Sequence, residues 1–339
     1  MRRALTRLRE FMGHSPAPVI LMYHRISKPG CDPWGLCVSP VRFAEQMRAL
    51  KAHRIVLPMS EFVARLQKRD LPPLAAAVTF DDGYLDNLTV AKPILDQVGV
   101  PATVFLMTGG LQCPQAFWWD ELARLILGRI AEADVTVSIE GRTIELRLPS
   151  SSDTQRSPAP LRGWNGYVWN EPRSEREKAY LELWSILRNL GSAKQRGAMA
   201  LLRDSLGSSQ TAASDLPMDR ADVAKLLSGP TISLGAHTVT HSPLTILTSE
   251  ERRAEVTESR RECMALADGP VDGFAYPYGD VDTMTKELLR DAGFSWACST
   301  RSGGVDRDRY DVYDLPRIQV LDWTSWDFKH ALITARPIA

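Results

Sequence analysis

Residues 75–83, AAAVTFDDG, decide the fold. Six apolar or β-branched residues run to Phe80 without a charge and lead directly into Asp81, Asp82 and Gly83. An unbroken apolar run is typical of a parallel strand that is buried on both faces. Because reactive groups in β/α barrels lie where such strands end, the two aspartates are candidate functional residues. The alternative interpretation is an Asp-Asp-Gly turn that caps the following helix.

Other short apolar runs on both sides of this strand alternate with helix-like segments. The predicted strands span residues 18–26, 54–57, 101–107, 231–236, 271–276, 294–299 and 315–320, and the predicted helices span 42–53, 61–68, 89–98, 249–267 and 284–292. Continuous apolar strands separated by helices indicate an α/β protein with a parallel sheet. Seven or eight such strands predict a closed or nearly closed β/α barrel.

One long segment interrupts the alternation, and we assign residues 111–230 to a mainly helical insertion. Within it we predict a helical run that ends at residue 130, a hairpin at 135–148 and helices at 175–190 and 193–206. The segment contains no histidine, so we do not expect it to be a catalytic unit by itself. Its tryptophans Trp164, Trp169 and Trp184 either line a substrate groove or pack the helices on the barrel, and packing is the favoured interpretation.

A pair of histidines follows the strand predicted at 231–236. His237 stands at the end of that strand, and His241 comes four residues later. One helical turn after the strand places both imidazoles on one side. Two imidazoles and one carboxylate form the three-ligand set of an open divalent-metal site. A histidine pair on the surface is the plainer alternative.

The strand predicted at 271–276 ends in an aromatic turn with the sequence FAYPYG, residues 274–279. Tyr276, Pro277 and Tyr278 are candidates for the wall of a sugar-binding groove, with backbone N–H groups available to an oxyanion. The alternative is a rigid strand-to-helix turn with aromatic side chains in the core.

The motifs TFDDG, PATVFL, HTVTH and FAYPYG occur in this order at strand ends. In this the chain resembles the polysaccharide deacetylases of the NodB-homology type, carbohydrate esterase family 4, over residues 19–110 and 231–320. The resemblance implies a distorted (β/α)7 barrel, here formed by residues 18–110 and 231–325. It also implies metal-dependent hydrolysis of an N-acetyl group on an amino sugar in a polysaccharide, a glycolipid or their precursor.

The resemblance also implies a role for each matching residue. Asp81 would be the general base, and Asp82, His237 and His241 would bind the metal. The backbone N–H of Tyr278 would help to hold the oxyanion. Zinc is the expected metal for this ligand set, although Co2+, Ni2+ and Fe2+ also suit it.

Two positions depart from the family pattern. Ala275 stands where the family commonly has an arginine that orients the base, and the late Leu-x-His motif for the general acid is replaced by a tail with only His330. His24, at the end of the first strand, resembles the early acid of the poly-N-acetylglucosamine deacetylase type. Arg317 ends the last strand and is the candidate partner of Asp81. The alternatives are a core histidine and an ordinary ion pair.

The motifs leave other functions open: an O-acetyl esterase, a deformylase acting on a lipid-linked sugar, or a non-catalytic sugar-binding protein. Lysine plus arginine and aspartate plus glutamate both number 41, so nucleic acid is not an expected partner. Residues 1–17 form a basic helix or leader with a weak match to a membrane-surface helix. We expect the chain to be cytoplasmic, with peripheral contact to the inner membrane face as an option.

Overall fold

The structure is a computed structural model that describes residues 16–28, 30–128, 131–150, 172, 174–207 and 215–338. The predicted N-terminal helix therefore lies almost entirely outside the described residues, as do Trp164 and Trp169. Among the described residues, no helix combines the length and the apolar character that a bilayer span requires.

The strands follow the predicted positions closely. They are β1 (Val19–Tyr23), β2 (Ile55–Val56), β3 (Ala75–Phe80), β4 (Ala102–Leu106), β5 (Ala133–Ile139), β6 (Arg142–Leu148), β7 (Ile232–Ala236), β8 (Gly273–Ala275), β9 (Trp296–Cys298), β10 (Gly304–Val305), β11 (Ile318–Gln319) and β12 (Pro337–Ile338). The α-helices are α1 (Pro40–His53), α2 (Met59–Gln67), α3 (Lys92–Val98), α4 (Trp118–Ile126), α5 (Glu175–Arg188), α6 (Ser192–Leu206), α7 (Arg220–Leu226), α8 (Ser249–Ala267), α9 (Thr283–Asp291) and α10 (Ser325–Thr334).

The main sheet is parallel and curled, with the order β11-β1-β3-β4-β7-β8-β9 and β2 beside β3. Leu315 closes the curl, because it bridges Cys298 of β9 just before the chain enters β11. The amide of Ser299 donates to the carbonyl of Leu315, and the amide of Leu315 donates to Ala297. This arrangement confirms the predicted distorted (β/α)7 barrel.

Alternate residues of each strand enter two apolar clusters, as expected for a sheet buried on both faces. On β1, Leu21 belongs to a cluster that includes residues of the surrounding helices α1 and α8, whereas Ile20 belongs to the other cluster. The second cluster collects Phe105 of β4 and Trp296 of β9. Apolar side chains therefore cover both faces of the sheet, and we look for functional groups at the strand ends.

The predicted insertion has an apolar core of its own. It contains residues of α4, the antiparallel hairpin β5–β6, α5 and α6. The hairpin predicted at 135–148 is confirmed, and it turns at Glu140 and Gly141, which both have positive φ. α7 differs from the rest of residues 111–230, because its Val223 and Leu226 pack into the barrel cluster. α7 is thus a barrel helix that leads into β7.

Candidate active site

Asp82, His237 and His241 meet at the carboxyl edge of the sheet. Asp82 follows β3, His237 follows β7, and all three side chains are buried. Asp82 Oδ1 lies 3.4 Å from Nε2 of His237 and 3.3 Å from Nε2 of His241. One ligand atom from each residue lies within 4.8 Å of the other two. The three residues that the resemblance assigns to a metal are therefore adjacent.

The backbone is locally strained at two residues of this cluster. Asp82 and His241 have φ values of 72° and 59°, in the left-handed region that residues other than glycine rarely adopt. The hydroxyl of Thr238 accepts the amide of His241 at 2.9 Å and holds the turn. Glycine at position 83 lets the chain leave β3 close to Leu106, since a Cβ there would lie 2.4 Å from Leu106 Cδ1.

Hydrogen bonds orient His237 toward the cluster. Its Nδ1 lies 2.7 Å from the carbonyl oxygen of Ala275, so Nδ1 carries the proton of the neutral ring and donates it there. Nε2 then faces Asp82 as a lone-pair donor. A second hydrogen bond that fixes the imidazole in this way is the usual support of a metal-binding histidine.

The electrostatics of the cluster also suit a cation. Burial lowers the pKa of His241 to about 3, so this imidazole is neutral at physiological pH. Burial alone would raise the pKa of Asp82, but contact with His237 and His241 reverses the effect and lowers it. Asp82 is thus a carboxylate next to an uncharged imidazole.

The donor set fits a divalent metal. Asp82 Oδ1 is buried and accepts no hydrogen bond from the described residues, which is costly for a carboxylate oxygen unless something else satisfies it. Two imidazole nitrogens and one carboxylate oxygen are the ligands of open zinc sites and of sites for neighbouring transition metals. Asp82, His237 and His241 are therefore the residues that would hold the ion.

Asp81 points to a different partner. Both nitrogens of the Arg317 fork contact it, Nη1 to Oδ1 and Nη2 to Oδ2, each at 2.7 Å. Arg317 is fully buried, so the pair is not a surface ion pair. Its Nε donates to the carbonyl of Ser299 at 3.0 Å, which fixes the plane of the guanidinium. The bidentate contact holds the Asp81 carboxylate in one orientation.

Asp81 is ionised in this setting. Burial would raise the pKa of Asp81, but the charge of Arg317, helped by His237, outweighs it and brings the pKa below the ordinary value. His24 approaches from the end of β1, with Nε2 4.0 Å from Asp81 Oδ2 and 14% of its side chain exposed. His24 is therefore a partly open group at the edge of the cluster, not a core histidine.

The aromatic turn after β8 divides into a core part and a site part. Tyr276 is buried, packs against Phe274 and donates its hydroxyl to the carbonyl of Tyr313 at 2.8 Å. The predicted contact of Tyr276 with substrate is wrong for this reason, and the core interpretation is correct. Pro277 is also buried and begins the tight turn that presents Tyr278, whose φ is 59°.

Tyr278 itself lies on the cluster. Its ring centroid is 4.6 Å from that of His241. Gly279 is required beside it, because a Cβ at that position would lie 2.0 Å from Thr300 Oγ1. The turn therefore places both the ring and the backbone of Tyr278 at the candidate metal site.

The insertion supplies the other wall of the site, which the sequence did not predict. The ring of Trp119, in α4, lies 4.7 Å from the ring of His241. Its Nε1 donates to the hydroxyl of Tyr84 at 2.8 Å, and that hydroxyl donates to Asp120. The sequence contains the signal, a Phe-Trp-Trp cluster at residues 117–119, but no spacing rule connects it to His241.

Trp184 of α5 also contacts the site. Its ring lies 5.9 Å from Tyr278 and 4.6 Å from Trp34. The guanidinium of Arg188, one turn later, lies 4.5 Å from the Tyr278 ring centroid and 5.5 Å from that of Trp184. Trp184 packs against the apolar core of the insertion, as the favoured interpretation predicts, and the same ring also lies beside Tyr278.

A buried network of charges joins the insertion to the barrel just behind this wall. Arg25, next to His24, contacts Asp215 at 2.7 Å and lies 3.7 Å from Asp120 of α4. Arg124 of the same helix also binds Asp215, at 2.5 Å. Sequence reasoning missed this network because its members lie far apart in the chain.

The strand ends of the curled β/α sheet thus carry a buried Asp-His-His cluster and, beside it, an aspartate held by an arginine. Residues 193–297 match the family model described as polysaccharide deacetylase. The match includes His237, His241 and Tyr278, and it begins inside the predicted insertion. This stretch, about a third of the chain, is similar to the polysaccharide deacetylase family, a family of carbohydrate esterases that act on amide bonds of acetylated sugars.

A relative that carries the name of the same family, YxkH of Bacillus subtilis strain 168, is 32% identical over 90 residues. These cover 26% of this chain and 31% of that protein, so the chain spans about a third of the length of its curated relative.

Solved deacetylases share the fold over nearly the whole chain. The Streptococcus pyogenes deacetylase PplD in complex with acetate has a TM-score of 0.58 at 16% identity, covering 94% of this chain and 99% of that one. IcaB from Ammonifex degensii has a TM-score of 0.55 at 18% identity, covering 94% and 98%. At these identities the likeness shows the fold.

Proposed function

We propose that this protein is a metal-dependent deacetylase that hydrolyses the N-acetyl group of an amino sugar in a polysaccharide, a glycolipid or their precursor. One observation carries the proposal. Asp82, His237 and His241 form a cation-type cluster, and the neighbouring residue Asp81 is held apart from it by Arg317. Two adjacent carboxylates thus have different partners, as a ligand and a base require.

Asp82, His237 and His241 would hold the metal, with zinc as the first candidate and Co2+, Ni2+ or Fe2+ as alternatives. When bound, such an ion polarises the acetyl carbonyl and makes a water molecule more acidic. Hydrogen bonding of His237 to Ala275 fixes one ligand before any ion arrives. His237 is therefore already oriented as a ligand in the protein without an ion.

Asp81 is the proposed general base. Arg317 occupies one position on each carboxylate oxygen, and each oxygen has a second position left to accept a proton from water. Arg317 would thus do the orienting work that the family commonly gives to an arginine at the position of Ala275. It keeps Asp81 charged and prevents it from turning toward Asp82.

His24 is the proposed general acid. An amine leaves as a neutral group only if its nitrogen is protonated, because an amide anion is far too basic to depart near neutral pH. His24 is a partly exposed imidazole with Nε2 4.0 Å from Asp81 Oδ2. It is therefore placed to donate a proton to the substrate nitrogen, while Asp81 accepts a proton from the attacking water.

The backbone N–H of Tyr278 is the proposed donor to the oxygen that becomes negative during hydrolysis. The positive φ of Tyr278 and the packing of its ring on His241 support this role. His24 and Arg317 together support the poly-N-acetylglucosamine deacetylase type over other members of the family. O-acetyl ester and N-formyl substrates remain the chemical alternatives, and a cytoplasmic location stays a prediction.

The test is acetate release from acetylated amino-sugar oligomers and glycolipids, with bound metal quantified in the same preparation. We expect turnover that needs about one metal ion per chain and that disappears in Asp82→Ala. Asp134→Ala, at an exposed position of β5, is the matched control and should behave as the parent protein. Release of acetate at an unchanged rate by Asp82→Ala would refute the proposal, and release only from O-acetyl substrates would favour the esterase alternative.

A further inference from the structure

On the basis of the proposed function, we propose that Arg188 selects substrates that carry an anionic group, a carboxylate or a phosphate, close to the acylated amine. Arg188 is the last residue of α5, so the selecting group belongs to the insertion and not to the barrel. The sequence did not single it out.

The position of Arg188 is the first support. Its guanidinium carbon lies 4.5 Å from the centroid of the Tyr278 ring, and that ring lies 4.6 Å from the ring of His241. The two distances together limit the separation of the guanidinium from His241 to about 9 Å. A group held by Arg188 would therefore sit on the sugar that is being deacylated or on its neighbour.

The absence of a counter-charge is the second support. Nε of Arg188 is buried and has no hydrogen-bond partner, and within the described part of the chain no carboxylate pairs with this side chain. Two exposed arginines of the same insertion do have carboxylate partners: Arg142 contacts Glu182, and Arg203 lies 3.4 Å from Glu121. A buried donor without a partner is costly and calls for an explanation, and a bound anion would supply one.

The geometry of the guanidinium decides the ligand class. Cation–π contacts to Tyr278 and Trp184 restrict the guanidinium against aromatic surface. A guanidinium carries its N–H donors in a planar fork that matches the two oxygens of a carboxylate or a phosphate. A neutral hydroxyl would satisfy fewer donors and would leave the positive charge uncompensated. Anionic sugars should therefore bind better than neutral ones.

The experiment compares three substrates: a neutral N-acetyl amino-sugar oligomer, one that contains a uronic acid, and an N-acetyl amino-sugar phosphate. The variants are Arg188→Gln, Arg188→Lys and, as a matched loss of one charge from the insertion, Arg142→Gln. We expect the parent protein to prefer one or both anionic substrates. In Arg188→Gln the ratio of kcat/KM for anionic to neutral substrate should fall about tenfold or more, mainly through KM.

Arg188→Lys should keep part of the preference, because it retains the charge but not the fork, and Arg142→Gln should keep all of it. The carboxylate and phosphate arms show which anion the site takes. An unchanged ratio in Arg188→Gln would overturn the proposal.

Calorimetric titration of the holoprotein with the same sugars separates this proposal from the proposed function. If nothing is hydrolysed but anionic sugars bind about tenfold more tightly than neutral ones and lose that advantage in Arg188→Gln, the selectivity stands and the deacetylase function fails. Equal binding of neutral and anionic sugars would overturn the selectivity.

Discussion

The barrel and the insertion contribute to the same site in different ways. The barrel presents charged and ligating groups at three strand ends: His24 after β1, Asp81 and Asp82 after β3, and His237 after β7. The insertion presents aromatic rings and Arg188, which has no carboxylate partner among the described residues. The barrel therefore holds the groups that suit bond chemistry, and the insertion holds those that suit recognition.

This difference has a physical cause. In a parallel barrel the strand ends converge by topology, so short polar side chains there meet without further help. Trp119 and Arg188 stand on helices of a separate apolar core, and they reach the site only because that core docks on the barrel. Changes in the barrel should thus affect turnover and stability most, and changes in the insertion should affect them less.

Arg317→Met should have the largest effect on the barrel side. It leaves Asp81 as a buried charge without a partner, and breaking a buried pair in this way typically costs about 3–5 kcal/mol. We expect the free energy of unfolding to fall by that amount and turnover to be lost. Urea denaturation measures the first and acetate release the second. The double variant Asp81→Asn/Arg317→Met should recover part of the stability, and stability at the parental level in Arg317→Met would contradict the account.

His24→Gln should affect turnover without much effect on folding. Loss of a general acid commonly lowers kcat by about 10² to 10⁴, while the side chain is partly exposed and lies 4.0 Å from Asp81, whose main partner is Arg317. Steady-state kinetics and a thermal melt on the same preparation check this. His330→Gln, at an exposed position of α10, is the control and should keep full activity. Parental kcat in His24→Gln would remove it as the acid.

Trp119→Leu should show the smaller influence of the insertion. The change removes the ring beside His241 and the donor to Tyr84, at a cost of about 2 kcal/mol in stability. We expect kcat/KM to fall about tenfold with part of the loss in KM. Trp326→Leu, at a position that is 71% exposed, serves as the comparison and should change little. Equal behaviour of the two variants would mean that the insertion does not form a wall of the site.

The smallest effect concerns the charge network that joins the two regions. Burial raises the pKa of Asp120 to about 7, against the charge of Arg25 and with help from Asp215. Since the pKa in the folded state exceeds the ordinary value of 3.8, the folded state binds more protons between pH 4 and 7. The stability from this group therefore falls as the pH rises through that window.

Asp120→Asn lacks this titration. The stability of this variant relative to the parent should rise from pH 4.5 to 7, because the parent loses the contribution of Asp120 over that range. We expect a rise of only about 1 kcal/mol, because neighbouring carboxylates share the proton. Denaturation at several pH values measures the difference, and Asp134→Asn should show no such trend. A relative stability that falls with pH would mean that Asp120 is stabilised as a carboxylate.

Sequence patterns were sufficient to predict the barrel, but they did not predict the wall that the insertion adds to the site. The apolar run of β3 and the motif order predict the strands and bring Asp82, His237 and His241 together, because strand-end convergence follows from topology. The pairing of Arg317 with Asp81 was proposed from the position of Arg317 at a strand end. Tyr276 was misassigned because alternation along a strand end does not show which ring faces the core. Trp119 and Arg188 depend on domain docking, which no local pattern encodes.

The most direct test of the central claim compares Asp81→Asn with Asp82→Asn in the holoprotein, with metal content by elemental analysis and acetate release measured together. The account predicts that Asp81→Asn keeps about one metal ion per chain and loses turnover, whereas Asp82→Asn loses both. Retention of most turnover by Asp81→Asn, or full metal content in Asp82→Asn, would contradict the division of work between these two neighbouring carboxylates.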